Sequence, residues 1–193
     1  MDFRLTEDQE ALRKGFRELL ARRFPRERLR AVVDHAPSPR ARLDRELWRD
    51  LGEAGFFALR LEAGGNGAEG EGVGLGLPEA VLVFEEAGRA LLPGPLVATH
   101  LAVTHRVAAD AGVSSRADGA AGGGAYAGAG GVGAAAARGE AVVTALDVRG
   151  ARDGGAALIE HLPSADAVLV VGDDGDADVR VVGVGAPGTG VIG

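Results

Sequence analysis

Over residues 112–139, 20 of 28 residues are Gly or Ala, and Tyr126 is the only aromatic side chain. A stretch of that composition buries too little apolar surface to offset the entropy of ordering it, so it divides the chain into a part before and a part after. It is expected to be a flexible linker or insertion, within which the alanines at 134–137 can prolong a helix locally. The hydrophobic period differs on its two sides.

In front of it the period is helical. Thr6 and Gln9 have the spacing of a capping box, and Leu12, Phe16, Leu19, Leu20 and Phe24 then lie on one face until Pro25 interrupts. A short arginine-rich helix is expected over 25–33, after which Pro37, Ser38 and Pro39 turn the chain. Leu43, Leu47, Trp48, Leu51 and Ala54 mark a further helix, which Gly55 ends in the left-handed conformation, with Phe56, Phe57 and Leu59 as packing residues. Residues 64–76 are too rich in glycine for a helix or strand. Pro78 suits the start of a helix reaching residue 92, ahead of Pro93, Gly94 and Pro95, and another is expected over 96–111. Behind the Gly/Ala stretch, the runs 141–146, 167–171 and 179–184 are short, valine-rich and bounded by Gly and Asp, as strands are. Helices first and strands after predict an α+β fold: an amino-terminal helical bundle over 1–111, the linker over 112–139, and a small, mainly antiparallel β-domain over 140–193.

Several function classes drop out. With no cysteine, thiolate metal sites, disulfides and cysteine nucleophiles are excluded together. No apolar run is long enough to span a membrane and the first residues are charged, so a cytoplasmic protein is expected. The net charge of −7 hides an asymmetry, with 14 Lys+Arg against 11 Asp+Glu in residues 1–60 and 7 against 17 thereafter. A basic excess of that size, interleaved with acids, is a solvated helix face and not a nucleic-acid footprint.

The motifs that invite a site do not withstand their context. G-x-G-x-x-G occurs at Gly65, Gly67, Gly70, at Gly128, Gly130, Gly133 and at Gly183, Gly185, Gly188, but 32 glycines make about one chance match expected. None stands between a strand and a helix able to hold a pyrophosphate. His100 and His105 are five apart, the wrong spacing for two ligands on one helical face, and His35 and His161 sit beside turn residues, where solvent exposure is expected. Glu85 and Glu86 project about 100° apart on a helix, which makes them surface and helix-charge residues before a catalytic dyad.

Two blocks carry a family resemblance. MDFRLTEDQEALRKGFRELLARRF resembles the opening helix of acyl-CoA dehydrogenases. LWRDLGEAGFFALRLEAGGNG followed by GLGLPEAVLVFEEAGRALLPGPLVAT resembles that family's order of tryptophan helix, Gly-aromatic step, glycine loop and glutamate-pair helix closed by G-R-A and P-G-P. The likeness covers residues 1 to about 111 and resumes more faintly at ARGEAVVTAL and ADAVLVV. It implies FAD as cofactor, an acyl-CoA or acyl-carrier thioester as substrate, and a homo- or hetero-oligomer containing a dehydrogenase subunit, as in fatty acid metabolism. In the implied reaction a carboxylate removes the proton α to the thioester and the β-hydrogen leaves as hydride to the flavin. The family's Thr-Glu-Pro flavin stretch is replaced here by Asp147, Val148, Arg149 and Gly150, and the carboxy-terminal helical bundle that supplies the base is not in the sequence. No catalytic, cofactor-binding or metal residue is therefore assigned. A truncated or incomplete dehydrogenase subunit, inactive alone, is expected, with a non-catalytic interaction subunit as the alternative.

Overall fold

The first helix begins where its capping residues dictate. In the computed structural model, which describes residues 4–34, 43–61, 72–104, 131–147, 159–171 and 179–183, Thr6 Oγ1 accepts from the Gln9 N–H at 3.2 Å and Gln9 Oε1 accepts from the Thr6 N–H at 3.1 Å. Helix α1 (Glu7–Arg23) follows, with acidic residues in its first turn and Arg22 and Arg23 in its last, both favourable to its dipole. The other end of the same amide, Gln9 Nε2, donates to Glu79 Oε1 at 2.7 Å. Glu79 in turn caps α4 (Leu77–Arg89) by accepting the Gly76 N–H at 3.0 Å. The two helix starts are thus tied to each other, and α1 packs along α4.

The remaining helices are α2 (Arg26–Asp34), α3 (Arg45–Glu53), α5 (Leu96–Thr104) and α6 (Gly131–Ala137). Asp44 caps α3 by accepting the Leu47 N–H at 3.0 Å. Its far end closes as a Schellman motif: Gly55, at φ +76°, donates to the Gly52 carbonyl, and Phe56 donates to that of Leu51. Helix α4 closes in the same pattern, with Leu91 donating to Gly88 and Leu92 to Ala87, so Leu91 holds the left-handed position at φ 54° that glycine usually fills. It therefore stops three residues short of the expected end. The expected helix over 96–111 is described as far as Thr104 only.

Strands β1 (Val143–Asp147), β2 (Ala167–Val171) and β3 (Val179–Gly183) form one sheet in the order β1-β2-β3. The α+β class holds, but the mainly antiparallel sheet does not. β1 and β2 pair in parallel, Val143 opposite Ala167, and only β2 and β3 are antiparallel. Connection length explains the difference. The 19 residues 148–166 between β1 and β2 are enough for a crossover, whereas the seven residues 172–178 bring β3 straight back.

Helices and sheet share one core. Phe16, Leu20, Trp48, Leu51, Phe56, Phe57 and Val83 pack in the same cluster as Val142, Val143, Ala167 and Leu169. Phe56 stacks on Phe16 with ring centroids 5.3 Å apart and meets Phe57 edge-on at 5.1 Å. The last part of the Gly/Ala stretch belongs to this core: Val132 and the alanines of α6 are buried, and α6 packs on α5. Alanine is what this position needs, because only a side chain that small lets a helix come so close. The expected linker residues 112–130 lie outside the described residues.

The tightest approach is backbone on backbone. A Cβ on Gly52 would lie 2.2 Å from the Arg138 carbonyl carbon, and one on Gly139, at φ +70°, would lie 2.2 Å from the Trp48 carbonyl oxygen. Gly139→Ala combines that clash with left-handed strain and is expected to cost about 3 kcal/mol or more in urea unfolding. Gly15→Ala, on α1 where a Cβ would meet nothing within 4 Å, is the matched control and is expected to stabilise by about 0.5–1 kcal/mol.

Candidate functional site

Two lines of polar contacts run through the interior of the fold. One is the α1–α4 contact. Glu86 is 3% exposed, and Arg17 donates to both its oxygens, from Nε at 2.8 Å and Nη2 at 2.7 Å, in the bidentate geometry that suits a guanidinium. The hydrogen bond from Arg17 holds the Glu86 carboxyl below its usual range against the opposing effect of burial, with the charges of Arg17, Arg89 and Arg13 adding to it. Glu86 is therefore not the surface residue its place in the glutamate pair suggests. Glu85 is one: it is exposed and pairs with Arg89 one turn on, at 2.6 Å.

The second line is the seam between helices and sheet. Trp48 Nε1 donates to the Ala141 carbonyl at 3.2 Å. Thr99 Oγ1 donates to the Val143 carbonyl at 2.9 Å and accepts the Val143 N–H at 3.1 Å. One hydroxyl thus completes both backbone groups of the first residue of β1. Asp166 Oδ2 accepts from Arg45 Nη1 at 2.6 Å and from the Val142 N–H at 2.8 Å, joining α3 to the starts of β1 and β2. Arg45 Nη2 also donates to the Ser164 carbonyl at 2.6 Å, and Ser164 Oγ accepts the Leu43 N–H at 3.2 Å. Among the described residues every buried side-chain nitrogen or oxygen has a partner.

The histidines part company. His100 is buried on α5, its ring against Phe84 and its Nδ1 3.1 Å from the Phe57 carbonyl. A carbonyl only accepts, so Nδ1 carries the hydrogen and the imidazole tethers the aromatic turn to α5. His161 is half-buried at φ 57°, ahead of the 3₁₀ turn Leu162–Ser164, where solvent exposure was expected. His35 and His105 lie outside the described residues. Of the three glycine motifs, Gly133 lies in α6 and Gly183 ends β3; their other members are outside the described residues. Among the described residues no three His, Cys, Asp or Glu side chains are grouped to hold a metal, and no helix is long and apolar enough to cross a membrane.

Residues 6–112 match the family described as acyl-CoA dehydrogenase, N-terminal domain. The chain belongs to the acyl-CoA dehydrogenase family. In solved structures it resembles a chain of the ChsE4–ChsE5 complex from Mycobacterium tuberculosis, with 23% identity and a TM-score of 0.62 over 97% of this chain and 50% of that one. It also resembles a chain of a Tcur3481–Tcur3483 steroid ACAD variant, with 22% identity and a TM-score of 0.57 over 94% of this chain and 49% of the other. No curated protein matches. At these identities the likeness is one of fold, and the chain spans about half the length of the solved chains it matches.

Neither buried line was legible as a site. Thr99 and His100 do carry a signal, being the polar pair within the apolar run LVATHLAVT, and a helix apolar all round is a buried one whose polar groups must find partners. Thr99→Val keeps the shape but orphans the Val143 N–H and carbonyl, and a loss of about 2 kcal/mol in chemical denaturation is expected, with Thr99→Ser close to the parent. At the other line, a carboxyl depressed on folding adds stability that is complete above its unfolded value and disappears as pH falls through the lower folded one. Glu86→Gln is therefore expected to lower the urea midpoint at pH 7 and to converge with the parent in acid, as a pH series of unfolding curves would register.

Proposed function

We propose that this chain contributes the amino-terminal part of a flavin-dependent acyl-thioester dehydrogenase and acts in an assembly with a dehydrogenase subunit. The observation that carries this reading is the coverage. Nearly all of the chain, helices and sheet together, aligns with about half of each solved relative, and its helical part is the family's amino-terminal domain. Both relatives are named for two proteins each, which supports a heteromeric assembly. The division at 1–111, 112–139 and 140–193 is part of the proposal, with α6 assigned by its packing to the helical body.

FAD is the cofactor the family implies. The described residues do not form a flavin site by themselves, since their buried side-chain nitrogens and oxygens already have hydrogen-bond partners within the chain and β1 ends on exposed Asp147. No step is therefore routed through a flavin on this chain. Its own contribution is architectural: α5, the aromatic turn and the start of β1 are held in one frame by His100, Trp48 and Thr99. The second reading, a partner subunit without catalysis, is favoured by Asp147, Val148, Arg149 and Gly150 standing where the family has its Thr-Glu-Pro stretch.

The deciding experiment is the visible absorption spectrum of the chain purified alone and of the assembly recovered with its dehydrogenase partner. Flavin bands in the assembly only, with thioester-dependent bleaching, are expected. A partnered assembly free of flavin would favour the non-catalytic reading.

A further inference from the structure

We draw no further inference here: the strongest candidate, the exposed apolar row of Leu77 and Val81 on α4 with Leu91 just beyond its end, carries nothing because nothing in the structure shows what covers that face.

Discussion

Trp48 is the contact on which the two halves of this structure depend. Its ring is 1% exposed and lies 4.7 Å from that of Phe57, so it anchors the aromatic cluster. Its indole N–H binds the backbone just ahead of β1. Around it the chain has removed every obstacle: Gly94 leaves room beside the six-membered ring, where a Cβ would lie 2.7 Å away, and Gly139 brings the turn after α6 onto the Trp48 carbonyl. A large rigid side chain surrounded by glycines gives an interface with little freedom to slide. Helical bundle and sheet are thereby joined although the sequence separates them with a stretch unable to form a core of its own.

The two buried polar lines divide the work differently. Along the seam Trp48 and Thr99 are neutral and backbone-directed, and the ion pair of Arg45 with Asp166 adds a charged contact that also holds the Val142 N–H. Between α1 and α4 the lock is ionic, and its carboxylate is buried while its guanidinium reaches solvent. Such an arrangement adds less to stability than its Coulomb attraction suggests, because the carboxylate loses its hydration, but it excludes alternative helix registers in which that charge would be stranded.

Much of this was legible in the residues. The capping box at Thr6 and Gln9, the helix stop at Gly55 and the three valine-rich strands are local signals, and each appears in the structure within a few residues of its expected place. Strand direction was not local, since it depends on the path taken between strands. Glu86 shows a related limit: two adjacent glutamates look alike in sequence, and the helix rotates one to the surface and the other onto Arg17. The alanines of α6 were open to two readings because poly-alanine buries little surface by itself; it becomes core only where a neighbour such as α5 can approach closely.

Thr99 has a consequence for the sheet as a whole. By satisfying both backbone groups of Val143, the hydroxyl stands in for a neighbouring strand at the outer edge of β1, and α5 lies against that edge. Among the described residues β3 pairs with β2 alone. The edge of the sheet is therefore closed at the start of β1 by a helix side chain and not by a strand.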